Sequence, residues 1–136
     1  MSGDVCGMRG NFRLTAPVPP EDELHHSVGH ALNVLLPRDA VWTTWELRNA
    51  ASAAEGARRK RLGALAGWPD LGVFYRGRVV LLELKRSRYG ALSPAQRVLH
   101  PRLSDAGFPV VVCRSVEEAL AAVAAGGVPV RGRIAA

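Results

Sequence analysis

Residues 67 to 96 read GWPDLGVFYRGRVVLLELKRSRYGALSPAQ and decide the fold. The stretch contains two apolar runs, residues 71–75 and 78–84, and Arg76 and Gly77 lie between them. A short glycine-containing break between two such runs predicts a β-hairpin. The second run is apolar at four consecutive positions in its middle, which is typical of a central strand that is covered on both faces.

The remaining segments predict further helices and strands on both sides of this hairpin. Apolar residues recur at helical spacing near the N-terminus, and Ser-Pro and Ser-x-x-Glu patterns mark two later helix starts. The order of elements predicts an α/β domain with a central mixed sheet flanked by helices. The predicted elements are a helix over 21–36, a strand over 41–45, a short helix ending near Gly63, a helix over 93–106, a strand over 110–113 and a helix from Ser115 to about residue 125.

Length and composition indicate one domain with a hydrophobic core, because the chain has 136 residues and 48% of them are hydrophobic. We expect an N-terminal arm over residues 1–19, a folded domain over 20–126 and a short basic tail over 127–136. No apolar run approaches the roughly 18 residues that span a bilayer, and no secretion signal is visible. Cys6 and Cys113 show no metal-ligand spacing, which favours free thiols in the cytoplasm.

The charge balance favours an anionic partner. The formal net charge is +6 and the isoelectric point is about 10.3, which is typical of proteins that bind nucleic acid. The alternative is a solvated surface that keeps the protein soluble. Nine basic residues cluster between positions 58 and 88, around two acids, Asp70 and Glu83. They are Arg58, Arg59, Lys60, Arg61, Arg76, Arg78, Lys85, Arg86 and Arg88.

The two acids and Lys85 form a candidate catalytic group. Side chains alternate across a strand, so Glu83 and Lys85 project from the same face. With Asp70 on the neighbouring strand, two carboxylates can hold a divalent metal beside an ammonium, an arrangement suited to phosphodiester hydrolysis. The alternatives remain open: Pro-Asp also favours a simple turn at Asp70, and Glu83 and Lys85 also suit a plain ion pair.

Three further residues have a structural and a functional interpretation. Gln96 lies three residues after Ser93, so a capping box explains it, although a helix N-terminus also favours phosphate. Glu21 begins the first helix and is a candidate metal-site acid, with Glu23 as the substitute. The helix dipole alone favours an acid at either position.

The combination resembles the virus-type replication-repair nuclease (VRR-NUC) family of the PD-(D/E)XK nuclease superfamily, in its stand-alone form. The resemblance covers residues 20 to 125. It rests on Glu21 with Leu24 and His25, Gly67-Trp68-Pro69-Asp70-Leu71, Glu83-Leu84-Lys85, Gly90-Ala91-Leu92-Ser93-Pro94-Ala95-Gln96 and Ala106-Gly107.

The resemblance implies a restriction-endonuclease-like core and metal-dependent cleavage of DNA by a homodimer, with branched DNA such as four-way junctions as substrate. We expect Mg²⁺ or Mn²⁺ as the cofactor and the cytoplasm of a bacterial or phage-infected cell as the location. RNA as substrate stays open. The alternative is a nucleic-acid-binding module that kept the fold without catalysis.

Site roles follow from the same resemblance. The expected catalytic residues are Asp70, Glu83, Lys85 and Gln96. The expected metal ligands are Glu21, Asp70, Glu83 and the Leu84 carbonyl. The expected DNA-backbone contacts are Arg58, Arg59, Lys60, Arg61, Arg86 and Arg88.

Overall fold

A computed structural model describes residues 20–45, 51–86 and 90–132, apart from the side chains of Pro20 and Glu21. The fold is α/β, with a four-stranded mixed sheet flanked by helices, as the sequence predicts. The expected N-terminal arm and the last four residues of the expected tail lie outside the described residues. In chain order the elements are α1 (Pro20–Leu35), β1 (Val41–Thr44), α2 (Ala53–Arg61), β2 (Leu71–Tyr75), β3 (Arg78–Leu84), α3 (Pro94–Asp105), β4 (Val110–Cys113) and α4 (Val116–Ala125).

The sheet has the strand order β1-β2-β3-β4. β1, β2 and β3 pair antiparallel, whereas β4 runs parallel to β3, after the crossover through α3. The β2–β3 turn confirms the predicted hairpin, since Arg76 and Gly77 have φ angles of 44° and 77°. Two consecutive positive φ values are the signature of the turn that matches the twist of paired strands.

One face of the sheet carries the main hydrophobic core. Leu24, Val28 and Leu32 of α1 pack with Val73 of β2 and Leu82 of β3, all buried. α4 adds its own buried side chains to the same cluster. Helical spacing on α1 and alternation on the strands therefore place these apolar side chains in one layer.

The opposite face of the sheet carries α3. Alternation along β2 and β3 places Gly72 and Leu81, which face each other in the register, on this side. The same alternation extends to Asp70 before β2 and to Glu83 in β3. α3 buries Leu99, so this second layer contains both acids and the helix that begins at the Ser-Pro motif.

The short basic helix α2 stands outside both layers. Its N-cap is Ser52, whose hydroxyl accepts a hydrogen bond from the Glu55 N–H at 3.1 Å. No residue of α2 is buried, so its stability depends on local capping and charge pairs and not on the core. Among the residues that the structure describes, no helix is long and apolar enough to cross a membrane.

Candidate active site

Asp70 is held in place by hydrogen bonds to its carboxylate and to its backbone carbonyl. Its Oδ2 accepts a hydrogen bond from the Leu84 N–H at 2.8 Å. Its own carbonyl accepts from the Trp45 N–H and the Thr44 hydroxyl, both at 3.0 Å. Asp70 is 8% exposed. The turn at Asp70 therefore directs this carboxylate toward the end of β3, a position compatible with the predicted metal site.

Glu83 lies on β3, directly opposite Asp70 and on the same face of the sheet. Leu71 faces Leu82 in the register, so the next pair outward is Asp70 with Glu83. Glu83 is 2% exposed, and burial, followed by repulsion from Asp70, raises its pKa to about 7. Its Oε1 is buried and has no hydrogen-bond partner within the described part of the chain. A carboxylate in this state is costly unless a cation joins it.

Lys85 follows on the same face as Glu83. Its Nζ lies 3.6 Å from Glu83 Oε2, and its side chain is 19% exposed. Its backbone N–H donates to the Cys113 carbonyl at 2.9 Å, so the strand pairing with β4 continues one residue beyond β3. The ion-pair interpretation is therefore seen, but the pair is long, and it satisfies only one oxygen of the Glu83 carboxylate.

Gln96 serves both as a cap and as a neighbour of the acids. The capping box is formed, because Gln96 Oε1 accepts from the Ser93 N–H at 2.9 Å and Ser93 Oγ accepts from the Gln96 N–H at 3.2 Å. Since Oε1 is used by the cap, the amide nitrogen is the group left to face Glu83. A hydrogen bond from Gln96 lowers the pKa of Glu83, against the larger effect of burial.

Gly67 joins the Asp70 loop to the start of α3. Its φ is +85°, and an added Cβ would lie 2.7 Å from backbone atoms of Ala95 and Gln96. Only a residue without a side chain allows this approach. The close contact fixes the distance between the loop that carries Asp70 and the helix that carries Gln96.

We expect Gly67→Ala to destabilise the fold more than Gly63→Ala. Gly63 also has positive φ, +99°, but an added Cβ there would meet nothing within 4 Å. Gly63→Ala is expected to cost about 1 kcal/mol from backbone strain alone, and Gly67→Ala roughly 1–3 kcal/mol more from the backbone clash. Urea unfolding of both variants measures the difference, and equal losses would contradict the close approach.

His100 belongs to the same group of side chains, and sequence reasoning missed it. It lies on α3, four residues after Gln96. Burial lowers its pKa, the charge of Lys85 lowers it further, and Asp70 opposes the effect. The available signal was the four-residue spacing from Gln96, which places both side chains on one face of the helix.

The residues present fit a hard divalent cation. Asp70 and Glu83 offer carboxylate oxygens, the ligands that Mg²⁺ and Mn²⁺ prefer, and the orphaned Oε1 of Glu83 is buried where such an ion would satisfy it. Among the described side chains no group of three or more His, Cys, Asp or Glu gathers as a metal site. Mg²⁺ commonly binds through one or two carboxylates with water and substrate phosphates, so two acids suffice.

Of the two candidate acids in α1, the structure describes the side chain of Glu23 alone. The side chain of Glu21 lies outside the described residues. Glu23 lies near the end of β3, because its Oε2 is 3.6 Å from Arg86 Nη1. Its carboxylate is 60% exposed, so Glu23 sits at the rim with Arg86 and not beside the buried acids.

The expected DNA-contacting residues fall on two segments. Arg86 follows Lys85 at the rim, and Arg88 lies outside the described residues. Arg58 and Arg59 approach Glu55 on α2, at 3.7 and 3.3 Å. Lys60 and Arg61 follow them in the last turn of α2 and are exposed.

The buried acid pair makes stability depend on pH in metal-free protein. The pKa of Glu83 is raised from 4.5 to about 7, so its stabilising contribution is full below pH 4.5 and is lost as the pH rises through about 7. In chelator at pH 8, Glu83→Gln is therefore expected to be a few kcal/mol more stable than wild type, at about 1.4 kcal/mol per pKa unit.

Thermal melts from pH 4.5 to 8 test this expectation. The difference between Glu83→Gln and wild type should vanish at the acidic end. Asp105→Asn, at an exposed site at the end of α3, serves as control and should show no comparable trend. A flat difference across the range would refute the burial of a repelled charge at Glu83.

Comparison with known proteins defines the fold further. No family model matches the sequence, and no curated protein matches it. A solved structure described as "VRR_NUC domain protein" superposes with a TM-score of 0.57, covering 82% of this chain and 91% of that chain at 22% sequence identity. This chain has the fold of a VRR_NUC domain. The VRR_NUC likeness confirms the restriction-endonuclease-like fold that the family resemblance implied.

Proposed function

We propose that this protein is a divalent-metal-dependent endonuclease that hydrolyses phosphodiester bonds in DNA. The observation that carries the proposal is the Asp70–Glu83 pair, two buried carboxylates opposite each other with one orphaned oxygen and an ammonium at 3.6 Å. A purely structural core has no need for such a costly pair. The VRR_NUC fold supports the same conclusion.

Each residue has a separate task in this proposal. Asp70 and Glu83 bind Mg²⁺ or Mn²⁺, with the Leu84 carbonyl and Glu21 as further oxygen ligands. When bound, the metal activates water and offsets negative charge on the phosphate. Lys85 orients the attacking water or stabilises the phosphate charge, since its ammonium is a compact point charge. Gln96 steadies Glu83 through its amide nitrogen.

In this proposal the basic helix α2 contacts the phosphates of the DNA backbone. We expect Arg61→Ala to weaken DNA binding and to reduce the slope of log affinity against log salt by about one. Arg38→Ala is the matched control, because Arg38 is exposed just before β1, at the end of the sheet away from Asp70. If the slope of log affinity against log salt were equal for the two variants, Arg61 of α2 would not contact the DNA backbone.

The preference for branched DNA and the homodimer are finer parts of the proposal and rest on the VRR-NUC resemblance. A single domain of this size offers a limited surface for a junction, which favours a symmetric pair of subunits. The second candidate is a binding module without catalysis. The costly acid pair argues against it, because phosphate contacts alone require only basic side chains.

A cleavage assay tests the function. End-labelled four-way junction, flap, nicked duplex, linear duplex, single-stranded DNA and RNA are incubated with the protein in Mg²⁺, Mn²⁺ or EDTA. Cuts that require metal support the nuclease, and the preferred substrate identifies its class. Tight binding without cuts in either metal would support the binding module instead.

A further inference from the structure

His100, on the helix that carries Gln96, has a buried nitrogen, Nε2, with no hydrogen-bond partner among the described residues. Orphaned buried nitrogens are rare, and each costs free energy in the folded protein. A cost of this kind is offset when another state of the protein supplies the partner.

The candidate partner is the Lys85 ammonium, because Lys85 follows Glu83 on the same face of the strand and His100 follows Gln96 by one turn of α3. The charge of Lys85 acts on the imidazole strongly enough to lower the pKa of His100, second only to burial. An ammonium has three N–H donors and no acceptor, whereas a neutral imidazole has one acceptor nitrogen. The two side chains are therefore chemically complementary.

Lys85 also needs a second partner in the proposed reaction. Its pair with Glu83 Oε2 is already long, at 3.6 Å. In the proposed function Glu83 serves a metal ion, which competes with the ammonium for the same carboxylate. The ammonium then loses its anionic neighbour, and an acceptor on α3 can keep it in the site.

We propose that His100 is a positioning residue that accepts a hydrogen bond from the Lys85 ammonium through Nε2 and holds it toward the scissile phosphate. The proton of the imidazole then resides on Nδ1. This inference rests on the proposed function for its purpose but not for the contact itself. α3 thus supports the site from two consecutive turns, with Gln96 facing Glu83 and His100 facing Lys85.

A matched pair of variants tests the role in cleavage. His100→Leu keeps similar bulk without an acceptor, and His100→Gln restores an oxygen near the position of Nε2. We expect His100→Leu to lower kcat about ten- to a hundredfold with KM nearly unchanged, and His100→Gln to recover most of it. His30→Leu, an exposed histidine on α1, is the control. His100→Asn, with a shorter amide, replaces His100→Leu if that variant fails to fold.

A second readout requires no activity. The chain contains two lysines, Lys60 and Lys85, so protein labelled with ¹³C-lysine gives two side-chain Cε signals, assigned with Lys60→Arg. We expect His100→Leu to shift the Lys85 signal and to leave Lys60 in place, with a larger difference in Mg²⁺. An unmoved Lys85 signal together with unchanged kcat would overturn the inference. A shifted signal in a protein that cuts no DNA would uphold the contact and refute the nuclease.

Discussion

Lys85→Ala is expected to lower the cleavage rate about a thousandfold and to leave the affinity for DNA within a few-fold of wild type. The ammonium lies beside the buried acid pair, 3.6 Å from Glu83 Oε2, where charge develops during hydrolysis. The proposed contacts to the DNA backbone lie on α2 and at Arg86, so binding should survive the loss of Lys85. Loss in kcat without loss in affinity is the signature of an interaction made in the transition state.

Single-turnover cleavage and a binding titration in Ca²⁺ measure the two effects separately. Lys60→Ala is the control, because it removes the other lysine of the chain. It should weaken binding slightly and leave the single-turnover rate intact. Full cleavage by Lys85→Ala would remove Lys85 from the reaction, and a parallel loss of affinity and rate would reassign it to substrate binding.

Asp70→Asn is expected to lose metal binding while it keeps the fold. An Asn side-chain oxygen can still accept from the Leu84 N–H, the bond that holds Asp70 at 2.8 Å, so the change removes the charge and little else. Removal of a residue that only hydrogen-bonds a metal ligand lowers the affinity for the metal about ten- to a hundredfold. Asp70 is proposed as a direct ligand. The loss should be at least that large.

Calorimetric titration with Mn²⁺ measures the affinity, and cleavage should fall with it. Asp39→Asn is the control, since Asp39 pairs with Arg76 at the far end of the hairpin, 2.9 Å away. A titration of Asp70→Asn that matches wild type would contradict the ligand assignment. In chelator Asp70→Asn should also be no less stable than wild type, because it removes the charge that repels Glu83.

Local patterns predicted much of the fold correctly. The Arg76-Gly77 turn and the helices that begin after Ser93 and Ser115 were readable, because each depends on a few neighbouring residues. The mixed sheet was predicted, whereas its strand order, β1-β2-β3-β4, came only from the structure. Asp70, Glu83 and Lys85 were identified as candidates from their spacing and from the VRR-NUC resemblance.

The sequence could not predict the ionisation or the contacts of these side chains. The repulsion that raises the pKa of Glu83 arises from the register that sets Asp70 opposite it and from burial beneath α3, both long-range facts. Gln96 could not be assigned to cap or site because its carbonyl oxygen accepts the capping hydrogen bond while its amide nitrogen is left for Glu83. His100 was missed because a lone histidine within a helix has no local pattern that indicates what it faces.

The position of α2 has a consequence for how the sequence of such a protein can diverge. The helix is inserted between β1 and β2 and has no buried residue. Its length and sequence therefore affect the stability of the domain mainly through the entropy of closing the β1–β2 connection, and that cost grows slowly with length. With α2 as the proposed DNA contact, exchange of this insertion would change substrate preference, whereas the acids, fixed by strand pairing and by Gly67, would tolerate little change. Under the proposed function, substrate selectivity and catalysis would then depend on separate parts of one small domain, and each part could be engineered without the other.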